Sequence, residues 1–64
     1  MSKFIEITDE NNIRIMVNIN SINYVSEFDK TRTFVSLHDD GFITNENYDS
    51  FFNRLTEITV VEEI

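Results

Sequence analysis

Apolar and polar residues alternate along most of this chain, and the places where the alternation breaks mark its turns. From Lys3 to Thr8, Ile5 and Ile7 fall on one side and Phe4 and Glu6 on the other, which predicts a first strand. Asp9-Glu10-Asn11-Asn12 is polar and turn-forming, and asparagine is among the few non-glycine residues that tolerate a left-handed backbone. Ile13 to Ile19 then alternates cleanly, with Ile13, Ile15, Val17 and Ile19 facing one way and Arg14, Met16 and Asn18 the other. Two such runs around a short polar link predict an antiparallel hairpin. The stretch from Asn18 to Asn23 interrupts the pattern. Its Asn and Ser side chains compete for backbone groups and favour a single 3₁₀ turn, with Asn18 placed to bond to it. Tyr24 to Phe28 resumes as a strand, and Asp29-Lys30 turns the chain again.

The segment from Thr31 to Leu55 organises the rest. Thr33, Val35 and Leu37 share one strand face, and Phe34, Ser36 and His38 share the other. Asp39-Asp40-Gly41 ends that strand, and a three-residue loop with Gly41 at positive φ is the expected reversal. This register sets Leu37 opposite Ile43 and His38 opposite Phe42; a two-residue loop would exchange Phe42 and Ile43 between faces. Asn45 or Asn47 can cap a helix whose apolar residues, Tyr48, Phe51, Phe52 and Leu55, recur at three- and four-residue spacing. Ile58-Thr59-Val60-Val61 is β-branched, and is expected to form an edge strand or an arm that pairs with another chain. Glu62 and Glu63 would guard that apolar segment. The expected fold is α+β and a single domain over 1–64. It is an antiparallel meander of five strands with one amphipathic helix on one face.

In that fold Ile5, Ile7, Ile13, Ile15, Val17, Val35, Leu37 and Ile43 form the face beneath Phe51, Phe52 and Leu55. The opposite face carries Phe4, Met16, Phe34 and Phe42, which one helix leaves uncovered. Full burial of such side chains is worth about 1.5–3 kcal/mol each. They therefore mark a contact surface for a protein partner or a second copy, with a homodimer expected. The competing arrangement is a small barrel that encloses both faces in one core.

Length and composition sharpen this expectation. A chain of 64 residues buries only about 60% of its unfolded surface, so small domains commonly need disulfides, a metal or self-association. The absence of cysteine removes disulfides, thiolate metal sites and thiol nucleophiles, and one histidine is a poor basis for zinc. Twelve acidic against five basic residues give a formal charge of −7. Lys3, Arg14, Lys30, Arg32 and Arg54 are too few and too scattered to neutralise phosphates, which argues against direct binding of nucleic acid or an anionic membrane. The acidity serves solubility, or it imitates nucleic acid through Glu27, Asp29, Asp39, Asp40, Glu46, Asp49, Glu57, Glu62 and Glu63. No apolar run reaches the roughly 18 residues of a membrane span. The opening residues lack a signal peptide's long apolar stretch, so a cytoplasmic location is expected.

Candidate chemistry is sparse. Ser36 and His38 share a strand face but lack an orienting acid and an oxyanion hole. Asp39-Asp40-Gly41 lacks the alternating oxygen ligands and distal glutamate of an EF-hand and reads as a turn. Glu46 and Asp49 suit the positive end of a helix dipole. No enzyme activity, cofactor or metal is expected.

Ile7-Thr8, Val17-Asn18-Ile19-Asn20-Ser21-Ile22, Thr33-Phe34-Val35-Ser36-Leu37, Gly41, and Thr44-Asn45-Glu46-Asn47 before the helix form a run of motifs. That run resembles the small flagellar FlbD-type proteins, a family with SwrD-like members that act in swarming motility. Asn11-Asn12 stands where the family's first hairpin has asparagine-glycine, and Asp29-Lys30 where it has proline-aspartate. Short phage and mobile-element proteins share the same look. The resemblance implies a non-enzymatic accessory protein acting through contacts. The expected role is thus a small interaction and regulatory module. The alternative is a phage-encoded acidic inhibitor of a host nucleic-acid-binding or defence protein, such as a CRISPR effector, nuclease or polymerase.

Overall fold

With one glycine and no proline, the chain makes its reversals largely with aspartate and asparagine side chains. The computed structural model describes residues 3–63, with side chains from Lys3 to Ile58. The order is β1 (Phe4–Thr8), β2 (Arg14–Asn18), a 3₁₀ turn (Ile19–Ser21), β3 (Ile22–Glu27), β4 (Thr33–Leu37), β5 (Gly41–Thr44) and α1 (Tyr48–Glu63). After β1, Asp9 Oδ1 accepts from the backbone N–H of Asn11 and of Ile13, both at 2.9 Å. Asn12 completes that reversal at φ 64°, as its sequence suggested. Asn18 Oδ1 accepts from Asn20 N–H at 2.9 Å and caps the 3₁₀ turn. Asp29 Oδ1 accepts from Thr31 N–H at 2.9 Å in the loop between β3 and β4. Each bond closes a turn without requiring glycine.

The strands form two antiparallel sheets, β1-β2 and β3-β4-β5, rather than one continuous meander. They meet at a bridge between Asp9 and Thr44, reinforced by Asn45 N–H donating to the Thr8 carbonyl at 3.0 Å. Asn45 also donates from Nδ2 to the Asp9 carbonyl at 3.0 Å. It therefore clamps β5 to the first hairpin, and the helix cap is Asn47, whose Oδ1 accepts from Ser50 N–H at 2.8 Å.

Ile5, Ile7, Val17, Val35 and Phe51 are buried together at the centre. Thr33 and Thr44 face each other across β4 and β5 and are also buried. Thr33 Oγ1 donates to the Glu46 carbonyl at 2.8 Å, which supplies a partner where burial would otherwise leave the hydroxyl unsatisfied. From the helix, Phe51, Leu55 and Ile58 reach this core, a stripe at four- and three-residue spacing.

Four expectations are corrected. The β4–β5 reversal falls on His38 and Asp39, because Leu37 N–H bonds to the Asp40 carbonyl at 2.7 Å. Gly41 is then the first residue of β5, and it has no positive φ. The register becomes Val35 opposite Phe42 and Phe34 opposite Ile43. Phe42 therefore packs against the core and Ile43 joins Phe34 on the outer side. Second, Ile13 precedes β2 and is 55% exposed; it closes the turn, its N–H donating to Asp9 Oδ1 and its carbonyl accepting from Asp9 N–H. Third, Phe52 is 49% exposed and stacks on Tyr48 at 6.0 Å along the helix flank instead of entering the core. Fourth, residues 58–61 are helical, not an edge strand or arm, because α1 continues to Glu63. β-Branched residues lower helix propensity by only a few tenths of a kcal/mol each, and packing of Ile58 on the core favours continuation of a helix already nucleated.

Candidate functional site: the outer side of the sheets

Strand alternation sends Phe4 and Glu6 of β1 away from the core, opposite Asn18 and Met16 of β2. Phe4 and Met16 are thus diagonal neighbours on one face, 49% and 62% exposed. Arg14 approaches Glu6 at 3.7 Å beside them, a solvent-facing pair that contributes little. On the second sheet Tyr24, Ser26 and Phe34 take the outer side, with Ser26 opposite Phe34 and Tyr24 opposite Ser36. The Tyr24 and Phe34 rings lie 6.2 Å apart, within the range of a favourable aromatic pair. Phe34 is half-buried and extends over Gly41, whereas Tyr24 is 59% exposed.

Phe28 continues the same phase past β3 and is half exposed. The Arg32 guanidinium lies 4.8 Å from its ring centre, in cation–π range. Arg32 also donates to Asp29 Oδ2 from Nε at 2.9 Å and from Nη2 at 2.7 Å, and it meets Glu10 of the first hairpin at 3.6 Å. The hydrogen bond from Arg32, aided by the Thr31 N–H, holds the Asp29 carboxyl at about 2, below its ordinary 3.8. A fork of this kind fixes the loop and holds the guanidinium over Phe28.

Of the four residues expected on the contact face, Phe4 and Met16 lie together, Phe34 sits on the neighbouring sheet, and Phe42 is excluded by the register. Tyr24 and Phe28 were missed. Their alternation with Val25 and Glu27 was visible, but which set faced outward depended on the pairing of β3 with β4.

The acidic residues do not converge. Glu27 and Asp29 lie at the β3–β4 end of β4, and Asp39 and Asp40 at its other end, roughly 17 Å apart for a five-residue strand. Asp29 is paired with Arg32. Glu46 is a partly buried anchor rather than a free acidic surface group. Its carboxylate accepts from Arg54 at 2.7 and 3.1 Å and from Ser50 Oγ at 2.6 Å. Burial opposes its ionisation, but the Arg54 and Ser50 hydrogen bonds and the Arg54 charge outweigh this and leave its carboxyl below the ordinary range. Asp49 and Glu57 are exposed on the helix, and the side chains of Glu62 and Glu63 lie outside the described residues.

Arg54 donates further to the Glu6 carbonyl at 2.8 Å. With Glu6, Thr8, Thr44, Asn45 and Glu46 it lines a polar cleft of about 280 Å³. Arg54 and Glu46 pair there, the Glu6 carboxylate turns to Arg14, and every buried side-chain polar atom among the described residues has a hydrogen-bond partner. Ser36 lies on β4, while His38 lies in the turn beyond it. Among the described residues no group of three His, Cys, Asp or Glu side chains is placed to hold a metal, and no helix is long and apolar enough to cross a membrane. Comparison of the chain with protein-family models, curated proteins and solved structures gave no match.

Proposed function

We propose that this small α+β protein is a non-enzymatic interaction module that regulates a partner protein, and self-associates, through the apolar outer side of its sheets. The observation that carries this reading is the exposure of Phe4, Met16, Tyr24 and Phe28, each about half or more open to solvent. Phe4, Met16 and Tyr24 sit on outward strand faces, and Phe28 continues the phase of β3. Large outward side chains in the polar phase of paired strands add nothing to the core. They stabilise an interface by about 1.5–3 kcal/mol each when fully buried. The resemblance to FlbD-type proteins agrees with an accessory role exerted by contact in the cytoplasm. The reading assigns no cofactor, metal or nucleic-acid site.

The rival reading, a phage-encoded acidic mimic of nucleic acid, draws support from the charge of −7. Its acidic groups are dispersed, and Asp29 and Glu46 are paired with arginines. Affinity capture from the native host separates the two. Apolar docking retains the same partner in high salt, and a Phe4→Glu/Met16→Glu variant loses it. Charge mimicry releases its partner as ionic strength rises, because exposed charges are screened beyond about 8–10 Å at physiological salt. A partner held equally by the variant and the wild type overturns the apolar reading.

A further inference from the structure

Among the described residues, strand β3 pairs with β4 on one side only. Phe28 N–H donates to the Arg32 carbonyl, and the register Ser26–Phe34 and Tyr24–Ser36 continues that pairing. In an antiparallel ladder, bonding toward one neighbour alternates with bonding away from it. Tyr24, Ser26 and Phe28 therefore bond toward β4, and the backbone groups of Val25 and Glu27 point away from it. The β4–β5 side confirms the phase, since Leu37 bonds to Asp40 and Val35, the partner of Val25, faces β5. Val25 and Glu27 thus offer an unpaired hydrogen-bonding edge within a strand of β-branched and aromatic character.

The side chains along this edge are arranged symmetrically about Ser26. Tyr24 and Phe28, both exposed on the outer face, stand two residues to either side of it. We infer that a second copy of this chain adds to β3 in antiparallel register about a two-fold axis through Ser26, joining two three-stranded sheets into one of six strands. Val25 of each copy then exchanges both backbone bonds with Glu27 of the other. Tyr24 of each copy faces Phe28 of the other on the outer side, so both exposed rings acquire an aromatic neighbour. No acidic residue faces another directly in this register: Glu27 meets Val25 and Asp29 meets Asn23, while the two Glu27 residues are diagonal neighbours. An interface of this kind is isologous and closes at two copies, as two-fold symmetry requires. It rests on the contact-module reading above and names its self-association partner and edge. With each copy at −7, added salt strengthens this dimer, the reverse of its effect on charge mimicry.

The test uses sedimentation of the full chain from micromolar to millimolar concentration, together with thiol cross-linking. Glu27→Pro removes an outward N–H and leaves the β3–β4 ladder intact, as proline on an edge strand permits. With an unchanged far-UV spectrum, it is expected to weaken dimerisation by at least about tenfold, the equivalent of losing well-formed interface bonds. Ser26→Cys places one thiol from each copy in a non-hydrogen-bonded pair about 4.5 Å apart at Cα, compatible with a disulfide. The natural chain has no cysteine, so cross-linking reports this site alone. Ser26→Cys is expected to oxidise to a dimer faster than Asn53→Cys, an exposed control on the helix. A wild type that stays monomeric, with Ser26→Cys no faster than the control, overturns the inference. A dimer that survives Glu27→Pro but is lost in Phe4→Glu/Met16→Glu also overturns it, while leaving the contact-module reading intact.

Discussion

Phe34 occupies the space that a side chain at position 41 would need: a Cβ on Gly41 would stand 2.8 Å from Phe34 Cζ and 3.0 Å from Cε1. The lone glycine thus lies under a neighbour's ring and does not serve a positive-φ turn. Gly41→Ala is expected to destabilise the fold by about 1–2 kcal/mol, because an overpacked aromatic must shift. The same substitution in a Phe34→Leu background should cost measurably less. Urea unfolding of the four proteins gives the coupling, and additive costs would contradict the steric account.

Helix α1 is anchored through one stripe and not the next. Phe51 is fully buried, so Phe51→Ala is expected to cost about 3–5 kcal/mol, comparable with the whole stability of a domain this small. Phe52→Ala, at a half-exposed ring stacked on Tyr48, should cost no more than about 1 kcal/mol. Thermal unfolding followed by circular dichroism distinguishes them.

The N-cap is assigned to Asn47 by its bond to Ser50 N–H. Asn47→Ala should lower stability by about 1 kcal/mol, while Asn47→Asp should leave it nearly unchanged. Asn45→Ala acts differently, since Asn45 holds the first hairpin. Hydrogen exchange should show opening at residues 8–12 before α1 loosens.

Arg54 joins the helix to the segment before it through Glu46 and to β1 through the Glu6 carbonyl. Arg54→Met is expected to cost about 1–2 kcal/mol, below the figure for a fully buried pair because both partners keep some solvent contact. The pH dependence follows from the depressed carboxyls. Asp29 and Glu46 bind protons less readily folded than unfolded, so their stabilising effect is complete above their ordinary values of 3.8 and 4.5. It is lost as pH falls through the folded values, for Asp29 down to about 2. Stability should decline on acidification below about pH 4.5, and Glu46→Gln should flatten part of that decline. Denaturant midpoints across the acid range provide the measurement.

Much of the strand layout was legible because it depends on alternation and on local side-chain bonds. Asp9, Asn18 and Asn47 close their turns with groups two to four residues away, and such contacts are written in neighbouring residues. Phe4 and Met16 were likewise readable as outward residues from the phase of their own strands. The faces of Phe42 and Ile43 were not, because a slip by an odd number of residues exchanges them, and Ile43 pairs with Phe34, three residues from the expected Leu37.

Local pattern alone therefore determined the strands, the first hairpin and the 3₁₀ turn, and narrowed the helix cap to Asn45 or Asn47, where each preference is satisfied by adjacent chain. Tertiary structure decided which aromatic rings are covered, where the helix continues, and which carboxylates are neutralised. Those outcomes depend on packing and ion pairs between residues far apart in sequence, such as Arg54 with the Glu6 carbonyl. A residue's own type does not specify which distant neighbour will remove it from water.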